Sequence, residues 1–352
     1  MSVLDELISS HRVVICAGPG GVGKTTTAAS VALQAAREGR RGCVVTIDPA
    51  KRLADALGLK ELSNTAHEVR GDWPGEMWAL MLDTKSTFDE VVTRNAGTPE
   101  QAEAILRNRL YRNLSSALGG TQEYMAMEKL YELYQEERFD LIVVDTPPTR
   151  HALDFLDAPA RLTRFLNNRI FRLLMMPTRA SLRAANVATR MVLRTVSRVV
   201  GGEAVQDAVQ FFTAFEGMEQ GFRDRAARVT SLLSDEGTAF VVVAAPRRDA
   251  VDEALFFADR LADASMPVRA LVVNRLFPRF GAPPQVDVAP GSALEPWLAN
   301  LADLEGIAAR EERYVGMLSE RLPGAGVVRV PFLAGDVHDL DGLAEVGSHL
   351  FA

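Results

Sequence analysis

The chain has 352 residues, a net charge of −7, 47% hydrophobic content and two cysteines. That hydrophobic share suits a large core, in one large domain or two ordinary ones, and the acidic balance argues against nucleic-acid binding by bulk electrostatics. No apolar run reaches the ~18 residues of a membrane span, and Asp5 and Glu6 stand where a signal peptide wants basic residues, so a cytoplasmic location is expected.

The first predicted element is a buried strand at residues 12–17, followed at once by Gly18-Pro19-Gly20-Gly21-Val22-Gly23-Lys24-Thr25-Thr26 and a predicted helix from Thr26 to Glu38. The pattern G-x-x-x-x-G-K-[ST] between a strand and a helix is a phosphate-binding loop. Its glycines let successive N–H groups turn inward on phosphate oxygens, Lys24 adds a point charge, and Thr25 offers a hydroxyl to Mg²⁺. The helix that follows aims the positive end of its dipole at the same anion. A second strand, Cys43 to Ile47, ends in Asp48-Pro49-Ala50-Lys51-Arg52. A carboxylate at that tip is either a turn residue before proline or the group that positions an attacking water. Cys16 and Cys43 both fall in predicted strands and, without a C-x-x-C, read as reduced core thiols.

Further strands are predicted at Trp78 to Leu82, Leu141 to Val144, Phe240 to Ala244, Leu271 to Val273 and Val327 to Val330, with helical stretches between them. Ser63 to Gly75 and Phe277 to Gly291 read as loops. Continuous β-branched runs rather than alternating ones predict a mostly parallel sheet flanked by helices, the α/β architecture of a P-loop NTPase. The strand at 141–144 delivers Asp145, then Thr146-Pro147-Pro148-Thr149; the carboxylate either caps a following helix or, beside the phosphate loop, supports Mg²⁺ as in P-loop enzymes. Beyond it no strand signal returns until about Ala239, which is too long for a crossover helix. A helical subdomain inserted at roughly 157–235 within a single P-loop domain spanning 1–352 is therefore expected. From Ala158 through Gly202 this segment carries nine arginines and no acidic residue. Three readings stand: a surface helix with solvated arginines, a groove at residues 160–200 for an apolar protein client or a membrane partner, or a basic helix lying peripherally on anionic lipid. Nucleic acid ranks last, because aromatic residues are sparse there.

GPGGVGKTT, TIDPAKRLADALG and VVDTPPTRHALDFL together resemble the motifs of the ArsA family, which includes arsenite-pump ATPases and the ATPase that targets tail-anchored membrane proteins. The likeness extends to Asn274 after a late strand and to Pro331-Phe332-Leu333 after the last one. It implies that Gly20, Gly21, Val22, Gly23, Lys24, Thr25 and Thr26 hold ATP, that Thr25 and Asp145 hold Mg²⁺, and that Asp48 orients the attacking water with Lys24 as its catalytic companion. It further implies switch segments at Asp48 and Pro49 and at Asp145, Thr149 and His151. Asn274, Pro331 and Phe332 would border adenine.

The same resemblance implies a dimer whose nucleotide state controls a helical client- or partner-binding surface, or alternatively the energising ATPase subunit of an anion or metalloid transport system. One departure is marked. Relatives begin this loop G-K-G-G with a lysine that reaches the partner's nucleotide, whereas here Pro19 carries no charge. The dimer is therefore expected either with itself or with a lysine-bearing paralogue, and weak hydrolysis is expected without such a partner. Lys51 is either a local substitute cation or a solvated surface lysine. The thiols that arsenite pumps use are not recognisable.

Overall fold

The computed structural model describes residues 2–48, 52–109, 111–112, 121–148, 213–266, 268–281 and 291–352, with isolated positions at 158, 160, 163–164, 207 and 210–211. Pro49, Lys51, Thr149, His151 and nearly all of the arginine-rich 160–200 stretch lie outside the described residues. The chain falls into two compact units, Met1–Met81 with Leu133–Leu153 and Ser234–Ala352, and Leu82–Glu132 with Asp154–Leu233.

The first unit is built on eight strands: β1 (Val13–Ala17), β2 (Arg41–Thr46), β3 (His67–Val69), β4 (Glu76–Met81), β5 (Leu141–Asp145), β6 (Thr238–Ala244), β7 (Val268–Leu276) and β8 (Gly326–Pro331). They form one sheet in the order β3-β4-β2-β5-β1-β6-β7-β8, parallel throughout except for the antiparallel β3–β4 pair at one edge. The seven strands expected from apolar runs are all present. β3 corrects the expectation of a loop at 63–75. His67 and Glu68 are exposed and only Val69 is buried, so the strand has no apolar run to announce it and gains its order by pairing with β4.

Every residue of β1, β5 and β6 is buried, as a sheet covered on both faces requires. Alternate side chains such as Val14, Cys16, Val44, Val143, Val241 and Val272 join a core with α1 (Val3–Ser10), α2 (Lys24–Arg37), α3 (Arg52–Ala56) and the C-terminal helix Leu340–Leu350. Helix Arg248–Asp263 packs on β6 and β7 and also meets the 27-residue helix Glu295–Arg321. Helix α2 begins two residues earlier than its composition suggests, at Lys24, so Lys24 and Thr25 occupy the first turn, where backbone N–H groups lack intrahelical partners. Ser30 in α2 donates to the Leu343 carbonyl at 3.0 Å, which fixes this helix against the C-terminal one.

The second unit contains helices α4 (Thr84–Asn95), α5 (Pro99–Leu106), most of α6 (Thr121–Gln135) and α7 (Glu219–Leu233). It thus draws on 82–132 as well as on the segment expected to be helical. Asp83 and Thr98 cap α4 and α5 through their side chains. Phe211, Phe215 and Phe222 stack in sequence with centroids 5.6 and 5.3 Å apart. Beside them Glu128, fully buried, accepts from both Tyr124 and Arg225, so the buried carboxylate is paired.

Leu343 is wholly buried where the C-terminal helix meets the central core. Leu343→Ala should lower unfolding free energy by roughly 2–5 kcal/mol, because the cavity it leaves is walled by packed strands and helices. Chemical denaturation followed by circular dichroism measures this, and a loss under about 0.5 kcal/mol would contradict the packing described.

Candidate functional site

The sheet topology decides where a site can form. From β1 the chain crosses to β2 on one side, whereas from β5 it passes over β1 to β6 on the other. A crevice therefore opens at the carboxyl ends of the central strands. The loop 18–23 runs into this crevice. Gly18 lies against β6, and a Cβ on it would sit 2.0 Å from the Val243 carbonyl oxygen. Gly23 is left-handed at φ 97° and caps α2 with no side chain, and a Cβ there would sit 2.2 Å from the Asn274 amide nitrogen. Both positions therefore require glycine.

Lys24 is 7% exposed and donates from Nζ to the Pro19 carbonyl at 2.8 Å, folding back over its own loop. Burial pushes its pKa down, and Asp145 and Asp48 oppose that shift. Pro19 is itself buried.

Asp145 ends β5 between the tips of β2 and β1, paired in register with Thr46 and Cys16. Thr25 Oγ1 and Thr46 Oγ1 both donate to Asp145 Oδ2, at 2.7 and 2.9 Å. The other oxygen, Oδ1, is buried with no hydrogen-bond partner among the described residues. Burial pushes this carboxyl up to about 6, with the two threonine hydrogen bonds and Lys24 resisting and Asp48 adding to the rise. A buried, unpartnered carboxylate oxygen beside a threonine hydroxyl is a hard-oxygen donor set, so the residues present fit Mg²⁺.

Thr46 also accepts from the Asp48 backbone N–H at 3.3 Å, and so ties the start of that segment to Asp145. Asp48 lies 3.8 Å from Arg52, with its side chain 26% exposed. Around these groups is a cavity of about 470 Å³ lined by Gly20, Gly21, Gly23, Lys24, Thr25, Thr26, Asp48, Arg52, Asp55, Thr146, Arg275 and His338, among others. A neighbouring cavity of about 370 Å³ shares Gly23, Thr26, Arg275, Val337 and His338 with the first and adds Asn274, Pro331, Phe332, Leu333 and Asp336. Asn274 donates to the Val22 carbonyl at 2.9 Å, which joins β7 to the loop. Phe332 is 60% exposed and lines this second cavity.

Of the residues expected from sequence to act together, Gly20, Gly21, Gly23, Lys24, Thr25, Thr26, Asp48, Asn274, Pro331 and Phe332 line two adjoining cavities, whereas Val22 and Asp145 line neither: both are buried, Asp145 accepting from the cavity-lining Thr25. Thr46, Arg52, Arg275 and His338 were not foreseen. A polar Thr46 inside the apolar run Val44-Val45-Thr46-Ile47 was the available signal for the first of them. The arrangement suits a polyphosphate in the larger cavity and a flat ring in the smaller.

Residues 11–352 match the ArsA_ATPase family, described as anion-transporting ATPase. The chain is 27% identical over 351 residues to ATPase GET3 of Malassezia globosa, covering 99% of this chain and 93% of that protein. ATPase GET3B of Arabidopsis thaliana is 28% identical over 79% of this chain and 68% of its own length. ATPase get3 of Sclerotinia sclerotiorum is 24% identical, with coverages of 99% and 92%.

The raised Asp145 pKa carries a consequence for stability. A folded-state value near 6 lies above the ordinary 3.8, so between those values the folded chain keeps a proton that the unfolded chain has lost. Stability contributed by this residue therefore falls as pH rises from about 4 through 6. Asp145→Asn removes that ionisation. In the absence of metal the variant should be more stable than the parent at pH 7.5, by on the order of 2–3 kcal/mol, with the difference shrinking toward pH 4. Urea melts in EDTA across this range give the answer, and a less stable variant at pH 7.5 would contradict the buried, unpaired oxygen.

Proposed function

This chain belongs to the ArsA ATPase family, and on that footing we propose that it is a Mg²⁺-dependent ATP-hydrolysing switch in a dimer, whose nucleotide state controls a helical surface that binds a client or partner. The observation that carries the reading is the convergence of Thr25 and Thr46 on one oxygen of Asp145 while the other has no partner among the described residues, with Thr25 lining the same cavity as Lys24 and Asp48.

In this reading the backbone N–H groups from Gly20 to Thr26, at the uncapped start of α2, take the phosphate oxygens. Lys24 exchanges the Pro19 carbonyl for the β- and γ-phosphates, whose negative charge opposes the downward push of burial on its pKa. Thr25 and Asp145 would hold Mg²⁺, which neutralises charge on the phosphates. Asp48, partly exposed just beyond the tip of β2, orients water toward the γ-phosphate, and Arg52 steadies it by the ion pair between them. Asn274, Pro331 and Phe332 border the base.

Output is assigned to the helical subdomain at 157–235 within the P-loop domain, through switch residues Asp48, Pro49, Asp145, Thr149 and His151, with residues 160–200 as the client or partner surface. The client reading rests on the family resemblance. Among the described residues no helix is long and apolar enough to cross a membrane, and the proposed location is the cytoplasm. A transport role is the second reading, favoured by the family's description. Opposing a thiol-based metalloid site, Cys16 and Cys43 are both buried in strands, and burial pushes the Cys16 thiol up, away from the thiolate that would bind metalloid. Co-purification separates the two readings: membrane pore proteins support transport, and diverse proteins with terminal apolar helices support client binding. Mass measurement of the same complex reports whether the dimer is with itself or with a lysine-bearing paralogue.

Lys24→Ala should reduce ATP turnover to background, and an unchanged rate in a phosphate-release assay would remove the phosphate assignment. Asp48→Asn should leave nucleotide affinity within about threefold while lowering kcat about a hundredfold or more. Equal losses in binding and turnover would instead make Asp48 a structural residue.

A further inference from the structure

β7 does something at its end that a regular strand cannot. Val273 pairs with Arg329 and Leu276 with Pro331, so two residues of β7, Asn274 and Arg275, stand opposite one of β8. That is a β-bulge, and Arg275 within it is left-handed at φ 63°. Few non-glycine residues adopt this conformation; the other two among the described residues, Glu137 and Ser265, follow helix ends, whereas Arg275 lies inside a strand.

In a regular strand consecutive side chains point to opposite faces. Here both reach the same loop. Asn274 donates to the Val22 carbonyl, and Arg275 Nη1 donates to the Gly21 carbonyl at 3.1 Å. The Arg275 amide in turn donates to Asn274 Oδ1 at 2.9 Å, locking the pair. Arg275 is exposed and lines both cavities, whereas Asp48 and Lys24 line only the larger and Asn274 and Phe332 only the smaller.

Three strong bases line the larger cavity, and each already has a partner in the chain. Lys24 is bound to Pro19, and Arg52 is paired with Asp48. Among the described residues no carboxylate lies within ion-pair distance of Arg275. A guanidinium has five N–H donors, and the Gly21 carbonyl takes one.

We infer that Arg275 is a nucleotide-binding residue: one N–H anchors the phosphate loop at Gly21, and the remaining donors take an oxygen of the polyphosphate where the two cavities meet. The inference rests on the nucleotide reading of the site and adds a cation from within the same chain to a loop whose second residue, Pro19, has none. The bulge is then the device that turns two successive side chains of one strand onto the ligand.

The test uses the full chain with Arg275→Ala, Arg275→Gln and Arg275→Lys, in EDTA, measuring the affinities of ADP and adenosine by displacement of a fluorescent ATP analogue. Gln keeps a donor for the Gly21 carbonyl and removes the charge, so it separates loop positioning from phosphate binding. The Ala and Gln variants should both lose roughly tenfold in ADP affinity, the size of one charge-assisted hydrogen bond, with adenosine affinity unchanged. Lys should keep ADP affinity within about threefold. Recovery by Gln, an equal loss for adenosine, or no loss for ADP would each overturn the inference while leaving the nucleotide site standing. Failure of the unmodified chain to bind ADP, adenosine or the analogue would remove the nucleotide reading itself and this inference with it.

Discussion

At the tip of β5 a carboxylate is held almost wholly out of water, with two hydroxyls on one oxygen and, among the described residues, no partner on the other. The strand order makes this possible: β5 lies between β2 and β1, so Asp145 faces Thr46 across one ladder and Cys16 across the other. Thr25 arrives from the helix that follows β1. A buried, half-satisfied carboxylate costs stability, and that cost is tolerable where a cation and a polyanion offset it on binding. The same threonine hydroxyls connect the buried carboxylate to the phosphate loop through Thr25 and to the Asp48 segment through Thr46. A change at Asp145 is thereby felt at both.

The opposite wall obeys a different constraint. β1, β5 and β6 are buried along their full length and contribute backbone position, whereas β7 leaves regular geometry at its end to present Asn274 and Arg275 together. Close packing of Gly18 on β6 and of Gly23 on Asn274 holds the loop between these walls. The groups proposed to bind phosphate and base therefore stand on either side of β1, where an open α/β sheet has its topological switch point.

Much of this was legible in the sequence because the chemistry is local there. Lys24, Thr25 and the glycines follow one another, and Asp145 closes an apolar run. Asn274 and Phe332 were reached through family resemblance rather than through pattern. The unforeseen parts depend on pairing across the sheet. β3 carries one buried residue and is ordered by β4. Arg275 resembles any surface arginine until the two-against-one register with β8 turns it to the loop. Thr46 becomes meaningful only when β5 is known to be its neighbour. The contribution of residues 82–132 to the second unit was hidden because their helices, capped by Asp83 and Thr98, read as ordinary crossover helices.

Electron paramagnetic resonance of Mn²⁺ titrated into the chain with ADP reads out whether Thr25 and Asp145 form the metal end of a nucleotide site. One tightly bound Mn²⁺ per chain is expected, requiring ADP and released when Thr25 is replaced by alanine. Mn²⁺ binding that is absent with ADP, or that persists unchanged in the Thr25→Ala chain, would contradict that assignment.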